Sequence, residues 1–140
     1  MARINTRGVV TGGLVAGLII DISEYILNEP VLGASMAAAL AVHNLPPIGG
    51  NAIAVFTILG FLLGIVLVWL YAAIRPRFGP GPKTAVRAGV AVWFLAYFWG
   101  AISFAVLGVF PARLLTIGLL WGLVELIVAG LVGGRLYSEA

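Results

Sequence analysis

The chain has 140 residues, of which 62% are hydrophobic and only 9% charged, with a mean hydropathy of +1.15. A soluble domain carries about a quarter charged residues, so the composition excludes one and predicts a single integral-membrane domain over residues 1–140. The absence of cysteine excludes disulfides, thiolate metal sites and Cys nucleophiles, and the net charge of +3 at pH 7 is no sign of nucleic acid, because the basic residues stand at the ends of apolar runs.

Crossing a hydrocarbon layer takes about 20 helical residues, and four segments have that length: residues 8–27, 53–74, 88–107 and 114–133. The predicted fold is therefore all-α, a polytopic membrane four-helix bundle. Arg3 and Arg7 precede the first segment as they would a signal peptide, but Asp21, Glu24 and Glu29 stand where a small-residue cleavage site would lie. The first segment therefore reads as a true span.

The connection from Asn28 to Ala52 is long and mostly apolar, with VLGASMAAALAV followed by HNLPPIGGN. Its middle is too short to span, so it predicts a short interfacial helix ended by Pro46, Pro47 and the two glycines after them. The second connection, RPRFGPGPKTAVR, combines three prolines with four basic residues and predicts a stiff, extended turn along anionic headgroups. The last, GVFPAR, is short and makes the third and fourth helices a hairpin.

Arg3, Arg7, Arg75, Arg77, Lys83, Arg87 and Arg135 then fall on one side of the membrane and Arg113 alone on the other. Basic residues flanking short loops stay in the cytoplasm. Both termini are expected there, in a bacterial-type inner (plasma) membrane.

Each helix carries small or polar residues spaced three and four apart, the pattern by which helices approach closely in lipid. The first gives Gly13, Gly17, Asp21, Glu24 and Asn28, and the second Thr57, Gly60, Gly64, Val68 and Tyr71. The third gives Gly89, Trp93, Ala96, Gly100 and Ser103, and the fourth Gly118, Gly122, Glu125, Ala129 and Gly133. Acids on a small-residue stripe face helix contacts and not lipid. An acid in hydrocarbon persists when it is partnered, protonated or used.

By a rise of about 1.5 Å per residue, Asp21, Glu24, Thr57 and Ser103 share the outer half and Glu125 lies near the midplane. The prediction is a polar pocket floored by Glu125, with His43, Thr57, Ser103 and Arg113 in supporting roles. Asp21, Glu24 and Glu125 are its candidate ion- or proton-binding residues. A second reading makes Asp21, Glu24, Glu125 and His43 the ligands of a divalent metal, although the Glu-x-x-His motif of di-iron bundles is missing. A third makes the acids structural, with Asp21 or Glu24 paired to Arg113 or His43 near the outer surface and Glu125 a protonated acid hydrogen-bonded across a helix interface. No cofactor is expected.

Nothing in the sequence signals an enzyme: Ser23, Ser35 and Ser103 lack a positioned base, and no glycine-rich loop opens a helix after a strand. In its four helices, short length and acid in the first helix, the chain resembles small multidrug-resistance transporters. The likeness ends at that architecture. Those proteins use one isolated Glu, whereas this chain has the Asp21 and Glu24 pair, a long first loop and a strong charge bias, so no drug-binding residue is carried over. The functional expectation is ion- or proton-coupled transport through buried carboxylates, against a noncatalytic accessory subunit of a larger membrane complex. Expected partners are the bilayer and either identical subunits or that complex.

Overall fold

The computed structural model describes residues 3–139. They are all-helical, without a strand, and contain four helices long and apolar enough to cross a membrane: Thr6–Val31, Gly50–Phe78, Pro82–Val106 and Ala112–Leu136. Each includes one of the four expected segments, or in the third case all but its last residue. Within them, α1 (Thr6–Ile26) runs into a π turn (Leu27–Val31), and α2 (Gly33–Val42) is the short helix expected in the first connection. Then follow α3 (Gly50–Phe78), α4 (Pro82–Trp93), a second π turn (Phe94–Phe98), α5 (Trp99–Val106) and α6 (Ala112–Leu136).

The two π turns have different local causes. Pro30 has no N–H to donate to the carbonyl four residues back, so the helix widens and the Leu32 N–H reaches the Leu27 carbonyl at 2.8 Å. In the second, the Trp99 N–H bonds to the Phe94 carbonyl, and no proline intervenes. Here Phe94 stacks on Phe98 at 5.2 Å and Trp93 packs against Phe98 at 5.5 Å. Aromatic packing favours keeping these rings together.

Glycines set the closest helix approach. A Cβ on Gly64 would run into the Gly17 amide and the Gly13 carbonyl, and one on Gly17 would lie 2.6 Å from the Phe61 Cα. The α1 and α3 backbones therefore touch along the stripes read from the sequence. Gly12 and Gly133 bring α1 and α6 together in the same way, and Gly89 lies against the Leu126 carbonyl of α6. Around these contacts sits the main apolar core, with Ile20, Leu67, Val68, Ala88, Leu126 and Ala129 fully or almost fully buried. A smaller cluster of Leu27, Leu32 and Leu114, flanked by Met36, Ile117 and Trp121, lies towards the other end.

The start of α1 and the end of α6 are tied by polar bonds. The Asn5 N–H donates to the Tyr137 hydroxyl at 3.1 Å and its side-chain amide to the Ser138 carbonyl at 2.9 Å. Arg75 lies over the Tyr71 and Tyr137 rings, 3.8 Å from Glu139.

The second connection departs from the expected extended turn. α3 continues through Pro76 to Phe78, and only residues 79–81 separate it from α4, which starts on Pro82. A proline in the last helical turn forfeits one bond without breaking the helix, and Pro82 sits in a first turn, where its missing N–H costs nothing. The reversal falls to Gly79 and Gly81, at φ 80° and 114°. Arg87 covers the Phe78 ring at 4.7 Å, and the buried Thr84 hydroxyl donates to the Gly79 carbonyl at 2.7 Å. Thr84→Val removes that donor and should lower stability by about 1 kcal/mol, read as a lower midpoint on denaturation in detergent.

Candidate carboxyl site between two apolar clusters

Between the two clusters lies a polar layer. Glu125, on α6, is 4% exposed, and its Oε1 accepts a hydrogen bond from the Tyr97 hydroxyl at 2.8 Å. The Glu24 carboxyl of α1 lies beside it, as does the Ser23 hydroxyl. Asn28, one turn after Glu24 and inside the first π turn, donates its side-chain amide to both the Glu24 carbonyl and Oε2, each at 2.9 Å. Trp121 Nε1–H donates to Ser23 Oγ at 2.9 Å, crossing from α6 to α1.

Two buried oxygens in this layer have no hydrogen-bond partner: Glu125 Oε2 and Asp21 Oδ2. Asp21 lies beside Glu24 on α1, and its carboxyl occupies the space that a side chain on Gly60 would take. Gly60 is buried, whereas every residue of α3 from Ile53 to Leu59 is exposed. Asp21 therefore sits where α3 leaves the packed region.

The structure sets Glu24 beside Glu125 and Asp21 beside Glu24, with none of the four supporting residues among them. Thr57 and Ser103 are exposed and bond back to their own helices, to the Ile53 carbonyl at 2.8 Å and the Trp99 carbonyl at 2.9 Å. That is the usual satisfaction of a hydroxyl in a helix. His43 is exposed and reaches the Val109 carbonyl at 2.6 Å, so its Nε2 carries the hydrogen; it ties the first connection to the last. Arg113 is exposed, and among the described residues the one ion pair joins Arg75 to Glu139. The proposed pairing of Asp21 or Glu24 with Arg113 or His43 is therefore not formed. Nor is the four-ligand metal set assembled: among the described residues no group of three or more His, Asp or Glu side chains is arranged to hold a metal.

Asn28 lies on the first-helix stripe, whereas Ser23, Trp121 and Tyr97 take part in the layer from outside the stripes read in the sequence. A straight helix would continue the stripe of Gly89 and Trp93 through Ala96, Gly100 and Ser103. The π turn sets later residues back by about one position. Trp93 and Tyr97 consequently both reach α6, Trp93 through a 2.9 Å bond to the Leu119 carbonyl, while Ala96 and Ser103 turn outwards. A hydroxyl aromatic four residues after Trp93 was the available signal. Tyr97→Phe removes the hydroxyl that donates to Glu125 Oε1 from the second π turn and should cost about 1–3 kcal/mol, measured by detergent denaturation.

Comparison of the chain with family models, with curated proteins and with solved structures finds no match. The functional reading therefore rests on the residues themselves.

Proposed function

We propose that the chain is a small integral membrane protein, with both termini cytoplasmic, that moves a proton or small cation through its carboxyl layer. One observation carries this reading: a nearly fully buried Glu125 beside Glu24, with an unsatisfied oxygen and, among the described residues, no basic partner. A structural acid in lipid is normally consumed by its contacts. This one keeps a vacant acceptor, and Asp21, at the edge of the packed region, offers a second.

The orientation rests on the concentration of basic residues at the end that carries the termini. Purified protein in proteoliposomes should show cation- or pH-driven flux that empty vesicles lack; no flux under any imposed gradient overturns the reading.

A second reading, an accessory subunit of a larger membrane complex, is favoured by α5. No residue of that helix is buried, and Trp99, Val106 and Leu107 at its ends are largely exposed. Gentle extraction from native membranes separates the two. A stoichiometric larger partner supports the accessory role, and a homo-oligomer or single chain supports transport.

A further inference from the structure

We propose that the carboxyl layer takes a proton and not a metal cation, one proton being shared between the Glu24 carboxyl and Oε2 of Glu125. This deepens the transport reading and rests on it for its biological meaning, but it concerns binding and can be tested without transport.

The groups around the two carboxyls decide the point. Tyr97 gives Glu125 Oε1 a hydrogen, and Asn28 gives one to Glu24 Oε2. Ser23, beside Glu125, accepts from Trp121, and its hydroxyl makes no hydrogen bond to Glu125 Oε2. Tyr97 and Asn28 supply hydrogens, whereas a hard cation requires several oxygen lone pairs directed at one point, about six for magnesium or calcium. Among the described residues no third acid or histidine completes such a set.

What the Glu24 and Glu125 pair lacks is one hydrogen. Glu125 Oε2 is buried and unpartnered, and the neighbouring side chain, Glu24, is itself a carboxyl. A proton covalently held by one carboxyl and donated to the other satisfies both, and it leaves a single negative charge where two would repel at short range. The charged and titratable groups facing the pair are Asp21 on α1 and Tyr97 from the π turn after α4. α3 presents Gly60 here, and α6 contributes Glu125 itself.

Infrared difference spectra of the purified protein between acid and alkaline pH test the assignment directly. The expected result is one protonated-carboxyl C=O band that disappears both in Glu24→Gln and in Glu125→Gln, because either amide supplies the missing N–H and lets the remaining carboxyl stay ionised. Two bands removed separately by the two substitutions, or a band that neither removes, overturns the shared proton. Saturating sodium, potassium or magnesium at fixed pH should leave the band unchanged; its loss on adding one of them overturns the choice of proton over cation. If either Gln variant fails to fold, Tyr97→Phe retains both carboxyls and should shift the band by removing one donor, and an unshifted band overturns the arrangement. The band without flux would remove transport and keep the proton site. Sodium-driven flux with a sodium-sensitive band would do the reverse.

Discussion

Glu125→Gln is expected to reduce pH-driven flux in proteoliposomes to the level of empty vesicles while leaving the protein folded. The amide keeps a carbonyl oxygen where Oε1 accepts from Tyr97. Its NH2 group can occupy the place of Oε2, the oxygen with no partner, and donate to Glu24. The pair formed by Glu24 and the new amide is then hydrogen-bonded without a proton to share. Stability should be unchanged or higher by about 1 kcal/mol, the net worth of one hydrogen bond. This combination is diagnostic, since a purely structural Glu125 would move stability and leave flux alone. Retained flux in a folded Gln variant removes Glu125 from the transport path.

How much of this was legible in the sequence depends on the period assumed for each helix. Where the helix is regular, stripes at three and four residues locate real contacts: Gly13, Gly17, Asp21 and Glu24 on α1, Gly60 and Gly64 on α3, and Gly122, Glu125 and Gly133 on α6. Where a π turn intervenes the same rule fails. It placed Ala96 and Ser103 inside, and the structure places Tyr97 there. Pro30 marks the first π turn in the sequence, whereas the second has no such marker and depends on aromatic packing and contacts to α6.

Position along a helix does not determine direction. Thr57 and Ser103, expected at the level of the acids, are exposed, because α3 before Gly60 and the whole of α5 lie outside the packed core. Proline content misled at the second connection for a related reason: Pro76 and Pro82 fall in a last and a first helical turn, where proline is tolerated, leaving two positive-φ glycines to reverse the chain.

The glycines offer the second large effect. Gly64→Ala should destabilise the protein by about 2–3 kcal/mol, because the new methyl meets backbone of α1 at Gly17 and Gly13, which cannot move aside as a side chain can. Alanine's better helix propensity, about 1 kcal/mol over glycine, opposes this only in part. Gly118→Ala supplies the contrast: nothing lies within 4 Å of its added carbon, so it should be neutral or stabilising by up to about 1 kcal/mol. Denaturation of both variants in mixed micelles measures the difference, and equal midpoints would mean that α1 and α3 do not approach at Gly64. Gly60→Ala lies between these cases. Its methyl meets the Asp21 carboxyl, the free end of a side chain, which can rotate away at modest cost. Stability should therefore fall less than in Gly64→Ala, while flux should fall if the position of Asp21 matters. Glycine at 60 is thus the residue through which helix packing sets the placement of an acid.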